Sequence, residues 1–205
     1  MIRRHTIAAM AVAFLLAVGS AALAGVEPGD RAPGFKLFGT DYKYHKLQDY
    51  ADKEAVVVFF HCNHCPVTQG YEDQFSKMTK KYDDEGIQFL AINSTPADLN
   101  KEDSFPNMVD EAKKEQYPFP YLYDETQEVG RAYGARVTPH VFIVQFEGSG
   151  DDAAPKVVYE GSVDNRHEKP NYLKNALDAI LAGEEIPKKK TAAFGCGIPY
   201  REKKK

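Results

Sequence analysis

The fold of this chain is decided by residues 55–66, which read Ala55-Val56-Val57-Val58-Phe59-Phe60-His61-Cys62-Asn63-His64-Cys65-Pro66. Residues 55–60 form a continuous apolar run rich in β-branched side chains, which is typical of a strand covered on both faces of a sheet. Pro66 has no amide N–H and is tolerated in the first turn of a helix, so it marks where a helix begins. A buried strand that leads directly into a helix is therefore predicted.

The rest of the chain continues this alternation of strands and helices. Beyond Pro66, apolar residues recur at spacings of three and four, which predicts a helix with one apolar face that ends near Gly86. Further strands are predicted at 87–92, 141–146 and 156–160, and further helices at 104–116, 126–134 and 170–183. This order predicts an α/β fold in which a central mixed sheet is flanked by helices.

The composition is that of an ordinary globular protein, with 205 residues, a formal net charge of −4, 43% hydrophobic and 27% charged residues. A chain of this length buries a core without disulfide staples, so a disulfide-stitched mini-protein is excluded. The low net charge gives no general electrostatic reason to bind nucleic acid. We predict one domain over residues 25–183, which begins with a loop-rich N-terminal extension, and a polar basic C-terminal tail over 184–205.

The first 24 residues have the features of a secretory signal peptide. Two arginines give a positive start, residues 7–18 are an unbroken apolar run, and Ala22-Leu23-Ala24 has the small-x-small form of a cleavage site. A retained membrane anchor is the alternative, because residues 6–26 carry no charge. Cleavage after Ala24 predicts an extracytoplasmic protein, secreted or periplasmic, without membrane contact, in a compartment that permits disulfides.

A Cys-x-x-Cys motif lies at the predicted junction of strand and helix, with Cys62 at the helix start and Cys65 one turn inside. Free backbone N–H groups and the positive end of the helix dipole stabilise a thiolate there, so we expect the pKa of Cys62 to be lowered. The two sulfurs lie within disulfide reach, which predicts that Cys62 attacks and Cys65 resolves. An imidazolium at His64, with a further contribution from His61, would make the disulfide more oxidising.

Two other chemistries fit the same cluster. Two cysteines and two histidines within five residues offer the thiolate and imidazole ligands that suit zinc or copper. Four adjacent ligands on a strand that runs into a helix do not readily surround one ion. We therefore favour the redox interpretation, in which no residue binds a metal. A merely structural disulfide between Cys62 and Cys65 is the third interpretation.

Two further features lie outside this cluster. Thr138-Pro139 directly precedes the strand predicted at 141–146, a place where proline is allowed and where a cis bond turns the backbone sharply. A third thiol, Cys196, lies between two glycines in the tail. Three roles are open for it: an extra resolving cysteine for Cys62, a cross-link between two chains, or a small buried hydrophobe.

Together these segments resemble the thioredoxin-like superfamily, and within it the redoxin branch related to alkyl hydroperoxide reductase and thiol-specific antioxidant proteins. The matching segments are Gly29-Asp30-x-Ala32-Pro33-x-Phe35-x-Leu37, Phe59-Phe60-x-Cys62-x-x-Cys65-Pro66 and Val137-Thr138-Pro139. The chain is also similar to a subgroup with a Cys-Asn-His-Cys-Pro site and a late Gly-Cys-x-Ile segment, here residues 195–198. The resemblance implies a thioredoxin-like fold with Pro139 in cis beside the disulfide and with Thr138 offering backbone hydrogen bonds to a substrate.

The sequence departs from the family pattern in three respects. Val56, six residues before Cys62, stands where many thioredoxins have a buried acid that accepts a proton from the second thiol. No tryptophan precedes Cys62, and the peroxiredoxin pattern Pro-x-x-x-Thr-x-x-Cys is not found. The proton acceptor is therefore unassigned by the sequence, and peroxidase activity is disfavoured.

We expect an exported thiol-disulfide oxidoreductase that works through Cys62 and Cys65 and needs no cofactor besides its redox-active disulfide. The expected partners are proteins or small molecules that carry thiols or disulfides, together with a redox partner that recharges the pair. Two alternatives are a copper-handling protein of the same fold, which would hold copper or zinc, and a peroxiredoxin-like thiol peroxidase.

Overall fold

The computed structural model describes residues 25–148, 150, 153–166 and 168–202. The predicted signal peptide at 1–24 and the last three residues of the tail lie outside this part of the chain, as do residues 149, 151 and 152 between the strands predicted at 141–146 and 156–160. No helix in the described ranges is both long and apolar enough to cross a membrane.

A mixed β-sheet forms the centre of the molecule. Its strands, with two short outlying ones, are β1 (Lys36–Gly39), β2 (Tyr44–Lys46), β3 (Ala55–Phe60), β4 (Ile87–Asn93), β5 (Tyr121–Tyr123), β6 (Val137–Thr138), β7 (His140–Glu147), β8 (Ala154–Gly161) and β9 (Cys196–Gly197). The sheet has the order β2-β1-β5-β4-β3-β7-β8, whereas β6 pairs only with β9 in the described part. Strand β4 is parallel to β3 and β5, and β7 is antiparallel to β3 and β8. The mixed sheet predicted from the sequence is confirmed.

Helices flank the sheet, also as predicted. They are α1 (Pro66–Gln69), α2 (Glu72–Tyr82), α3 (Phe105–Lys114), α4 (Glu128–Tyr133) and α5 (Tyr172–Leu181), and short 3-10 helices cover Leu47–Tyr50 and Lys101–Asp103. The single helix predicted after Pro66 is divided into α1 and α2. Gly70 is a poor helix former, and the Tyr71 N–H donates to the Thr68 carbonyl over 2.8 Å in a tighter turn that separates the two helices.

The continuous apolar run of β3 is explained by two cores, one on each face of the sheet. Because successive side chains of a strand point to opposite faces, Val57 and Phe59 pack with α2, α3 and α5, whereas Val56, Val58 and Phe60 pack with α4 and the N-terminal extension. Every residue of β3 is fully buried. The strand is thus held from both sides, which fixes the direction in which residues 61–66 leave the sheet.

Sequence patterns missed several short elements. Strands β2, β5, β6 and β9 have two or three residues each, too few for a period of two to become visible. The last helix begins at Tyr172 rather than at Pro170, because the Asn171 side chain accepts the Lys174 N–H at 2.8 Å and caps the helix. Two of the missed strands, β6 and β9, border the candidate site.

The burial of β4 gives a stability prediction. Leu90 is fully buried in β4, so Leu90→Ala should lower the free energy of unfolding by about 2–5 kcal/mol through lost transfer free energy and the cavity left behind. Leu99→Ala is the matched control, because this leucine is 41% exposed, and it should change the value by less than about 0.5 kcal/mol. Urea unfolding measures both, and equal losses would contradict this assignment of the core.

Candidate functional site

The two cysteines of the Cys-x-x-Cys motif meet at the end of β3. Cys62 lies two residues after β3, and Cys65 directly precedes α1. Both are thiols, both are buried, and the two sulfurs are hydrogen bonded to each other. The two thiols of the motif therefore interact directly.

The helix does not begin where the sequence predicted. Pro66 is the first residue of α1, so the N-cap is Cys65 and not Cys62. The Cys65 sulfur accepts the Thr68 N–H over 3.5 Å, as a capping side chain does. The expectation that Cys62 occupies the helix start was wrong, because a proline at the first helical position makes the residue before it the cap.

The electrostatics of the pair follow this arrangement. The hydrogen bond from the Cys62 thiol holds the pKa of the Cys65 thiol well below its usual range, and contacts with the side chains of Cys196 and Thr138 act in the same direction. The same hydrogen bond, together with burial, raises the pKa of Cys62. The pKa of Cys62 is therefore shifted upward, opposite to the direction expected from the sequence.

Thr138 contacts both sulfurs from the opposite side of the site. Its Oγ1 lies 3.1 Å from the Cys62 sulfur, and its carbonyl oxygen lies 3.3 Å from the Cys65 sulfur. The Thr138–Pro139 peptide bond is cis, as the family resemblance implied. Thr138 belongs to β6, whose partner in the described residues is β9 of the tail.

His61 is not the positive neighbour that the sequence suggested. Its Nε2 lies 3.2 Å from the Tyr117 hydroxyl, which donates to the Glu72 carboxylate over 2.8 Å, so the Nε2–H donates to Tyr117. The Nδ1 atom is buried and has no hydrogen-bond partner among the described residues. Burial lowers the pKa of His61 to about 3, so the imidazole is neutral and contributes no charge to the thiolate. The pKa-tuning role predicted for His61 is wrong for this reason.

His64 is held by an acid that sequence analysis missed. Its Nδ1 is hydrogen bonded to the Oδ2 atom of Asp103, which lies in the 3-10 helix Lys101–Asp103 and is fully buried. The other carboxylate oxygen accepts the Asn63 N–H over 2.7 Å and the Asn93 side-chain amide over 2.9 Å. Asp103 thus anchors the residues between the two cysteines. No local motif marks it, because it lies about forty residues away in a polar stretch.

A group of three possible ligands also emerges here. The Cys62 sulfur, a His64 ring nitrogen and an Asp103 carboxylate oxygen all lie within 4.8 Å of one another. His61 does not belong to this group, since its ring is enclosed by Tyr117 and Tyr121. The four-residue metal set considered from the sequence is therefore not brought together in the described residues.

Cys196 lies beside Cys65 rather than beside Cys62. Strand β9 pairs antiparallel with β6, so that Cys196 stands opposite Thr138. The Cys196 sulfur interacts with the Cys65 sulfur and with the backbone N–H of Val67 in α1. Cys196 is partly exposed, whereas Cys65 is fully buried. The site therefore contains three thiols, with Cys65 between the other two.

Comparison with known families places this site in context. The AhpC/TSA family matches residues 28–149 of the chain, a range that contains β3, both cysteines of the motif and Pro139. A curated relative, the thiol-disulfide oxidoreductase ResA of Geobacillus thermodenitrificans, is 27% identical over 125 residues. That match covers 60% of this chain and 66% of the relative, so the chain spans slightly less than two thirds of its length.

Solved structures share the same architecture. An uncharacterized conserved protein from Geobacillus kaustophilus is 37% identical, with a TM-score of 0.75, and the match covers 85% of this chain and 92% of that protein. The exposed lipoprotein thioredoxin of Streptococcus pneumoniae is 21% identical, with a TM-score of 0.54, over 72% of this chain and 98% of that protein. The thioredoxin-like fold expected from the sequence is confirmed.

The neutral state of His61 makes stability depend on pH. A histidine has a pKa of about 6.5 in the unfolded chain, whereas His61 has one of about 3 in the folded protein. The contribution of neutral His61 to the free energy of unfolding is therefore present above pH 6.5. It is lost as the pH falls towards 3, by up to ~1.4 kcal/mol per pH unit. His61→Gln, which retains a donor for Tyr117 but does not titrate, should lose stability less steeply between pH 6.5 and 4 in urea unfolding. An imidazole NMR signal of His61 that titrates near pH 6.5 would contradict this prediction.

Proposed function

The chain belongs to the AhpC/TSA family, and from this premise we propose that it is a thiol-disulfide oxidoreductase that works through Cys62 and Cys65. Its substrates would be proteins or small molecules with a thiol or a disulfide, and a separate redox partner would recharge the pair. The observation that carries this proposal is the thiol pair at the end of β3, with Cys65 at the N-cap of α1 and Thr138 in contact with both sulfurs.

Cys65 acts as the attacking thiolate in this proposal. Its lowered pKa keeps it ionised at neutral pH, and the Thr68 N–H directs a positive dipole at its sulfur. When the Cys65 thiolate attacks a substrate disulfide, one substrate sulfur leaves as a thiolate. The other sulfur stays bound to Cys65 in a mixed disulfide.

Cys62 releases the substrate in the second step. It attacks the Cys65 sulfur, the Cys62–Cys65 disulfide forms, and the second substrate sulfur leaves and takes up a proton. The substrate disulfide is thereby reduced by two electrons and the enzyme pair is oxidised, and the reverse sequence oxidises a substrate dithiol. Because the Cys62 pKa is raised, this step needs a group that removes the thiol proton.

We assign that proton acceptor to the pair of His64 and Asp103. Both groups lie within 4.8 Å of the Cys62 sulfur. Asp103 is fully buried and is oriented by Asn63 and Asn93. It can therefore serve as the buried acid that many thioredoxins have at the position occupied here by Val56. Removing the Cys62 proton while Cys65 is still bound to substrate would couple proton transfer to release.

Export to an extracytoplasmic compartment is part of the same proposal. The apolar run at 7–18 and the cleavage-site pattern at 22–24 support it from the sequence. An oxidising compartment supplies disulfides for a dithiol enzyme to exchange.

Copper binding is the second candidate function, favoured by the arrangement of Cys62, His64 and Asp103. Thiolate and imidazole are suitable ligands for copper or zinc. Tight stoichiometric copper uptake by the reduced protein, together with no exchange of a model disulfide, would place this function above the oxidoreductase.

Trapping of the mixed disulfide tests the roles of the two cysteines. With Cys196 replaced by serine to leave only two thiols, Cys62→Ser should accumulate a mixed disulfide between Cys65 and a model disulfide substrate, because the second step is lost. Cys65→Ser in the same background should form little or none, since Cys62 is protonated. Mass spectrometry of the intact proteins measures both. A mixed disulfide held by Cys62 instead would restore the order expected from the sequence, and no reaction in either variant would refute the proposed function.

The proton acceptor is tested with a pair of buried acids. Asp103→Asn should slow release of the mixed disulfide by about 10²-fold and flatten its pH profile, because the acceptor is lost. Asp124→Asn is the matched control, since Asp124 is equally buried but caps α4 away from the cysteines. Both variants should lose stability, and only Asp103→Asn should change the pH profile measured by stopped-flow fluorescence or rapid quench. Identical profiles for the two variants would contradict the assignment.

A further inference from the structure

The C-terminal tail occupies the backbone edge nearest to the cysteines. In β6, Val137 and Thr138 present an edge with which an extended chain can pair. That edge is taken by the chain's own β9, with Val137 opposite Gly197 and Thr138 opposite Cys196. The next residue, Ile198, continues the contact by donating its N–H to the Arg136 carbonyl over 2.9 Å.

Specific contacts fix the register of this tail segment. Ile198 is buried in the core next to α4, and the Tyr200 hydroxyl donates to the Ala135 carbonyl over 2.8 Å. The Gln127 side chain donates to the Pro199 carbonyl and accepts the Arg201 N–H, both over 2.8 Å. The position of Cys196 is therefore set by tertiary contacts on its C-terminal side.

On the N-terminal side of Cys196, the tail is fixed by a close contact between its backbone and that of Thr138. A Cβ atom at Gly195 would lie 2.0 Å from the Thr138 carbonyl oxygen, so only glycine lets the tail come this near. The same carbonyl oxygen lies 3.3 Å from the Cys65 sulfur. At Gly197, two residues on, a Cβ atom would meet no neighbouring atom within 4 Å. The tight contact is thus confined to the point where the tail passes Cys65.

The three sulfurs form a series from the interior to the surface. Cys62 and Cys65 are 1% and 0% exposed, whereas Cys196 is partly exposed. Cys65 interacts with both of the other sulfurs, and Cys196 also contacts α1 through the Val67 N–H. A substrate that approaches the closed site from solvent meets Cys196 first.

We propose that Cys196 is an internal exchange partner of Cys65 and carries the disulfide between the buried pair and the protein surface. The proposal rests on the proposed function of Cys65. In the oxidised pair, the Cys196 thiol loses its proton and attacks the Cys65 sulfur. The Cys62–Cys65 bond breaks, a Cys65–Cys196 bond forms, and Cys62 leaves as a thiolate that takes up a proton. No electrons are gained or lost overall, so the step needs no external oxidant.

This role differs from those left open by the sequence. An extra resolving cysteine for Cys62 would have to lie beside Cys62, but Cys196 lies beside Cys65. A cross-link between two chains would draw the Cys196 sulfur away from Cys65, but that sulfur interacts with Cys65 and with α1 of the same chain. The geometry favours exchange within one molecule.

Peptide mapping tests whether the bond forms. After mild oxidation with diamide, Cys62→Ser should yield a Cys65–Cys196 disulfide, detected as tryptic peptides 54–77 and 191–201 linked to each other. The control Cys62→Ser with Cys196→Ser should lack this product. Wild-type protein should also give a minor fraction of the linked peptides, which makes the result independent of how well the variant folds. Cys196–Cys196 dimers in place of the intramolecular link, or no link at all, would overturn the proposal.

Two glycine substitutions test whether the position of the tail matters. Gly195→Ala should displace β9 from Thr138, so that Cys65 is alkylated by iodoacetamide about tenfold faster or more and the Cys65–Cys196 link is reduced, because the open state is favoured. Gly197→Ala, which meets no neighbouring atom, should leave both readouts unchanged. If the two variants have the same Cys65 alkylation rate and the same yield of the Cys65–Cys196 link, the position of the tail does not matter and this part of the proposal is wrong.

The two proposals fail in different ways. If Cys196→Ser retains the full exchange rate and no Cys65–Cys196 link forms in Cys62→Ser, the tail exchange is wrong while the oxidoreductase stands. If Cys65→Ser exchanges disulfides as fast as the wild type, the function proposed for Cys65 is itself wrong. Slower exchange in Cys196→Ser, with the link present in Cys62→Ser, supports both.

Discussion

The contact of Thr138 with both thiols of the motif is the interaction on which the rest of the site depends. Its hydroxyl lies beside Cys62 and its carbonyl beside Cys65, so one residue of a two-residue strand contacts both of the sulfurs that follow β3. The same backbone segment pairs with the tail and brings Cys196 to Cys65. Three distant segments of the chain meet at this residue.

Burial and charge explain why the two cysteines differ. A thiolate in a buried site needs hydrogen-bond donors, and Cys65 has them in the Cys62 thiol and the first turn of α1. Cys62 donates and does not ionise, and the buried carboxylate of Asp103 beside it also disfavours a second negative charge. In the proposed mechanism this asymmetry gives one sulfur for attack and one for release, and Asp103, which disfavours ionisation of Cys62, is placed to receive its proton.

Much of the fold was accessible from the sequence, because strong local patterns encode it. The apolar run at 55–60 predicted a doubly covered strand, and β3 is one, with a separate core on each face. The break at Gly70 and the short strands were not predicted, because neither alters the apolar periodicity over a long enough window. The N-cap of α1 illustrates a finer limit of prediction from sequence. Pro66 indicated where the helix begins, and the cap is the residue directly before it, which is Cys65.

The sequence by itself determined the mixed α/β architecture, the site at the end of β3 and the two thiols that meet there, since each depends on residues close together along the chain. Only the tertiary structure decided that His61 is neutral, that Asp103 holds His64, and that Cys196 lies against Cys65. The physical reason is the same in all three cases. Burial, hydrogen bonding and sulfur contacts arise from segments 40 to 130 residues apart, roughly the separations of Asp103 and Cys196 from the motif, and no local period or spacing in a sequence specifies which of these segments will touch.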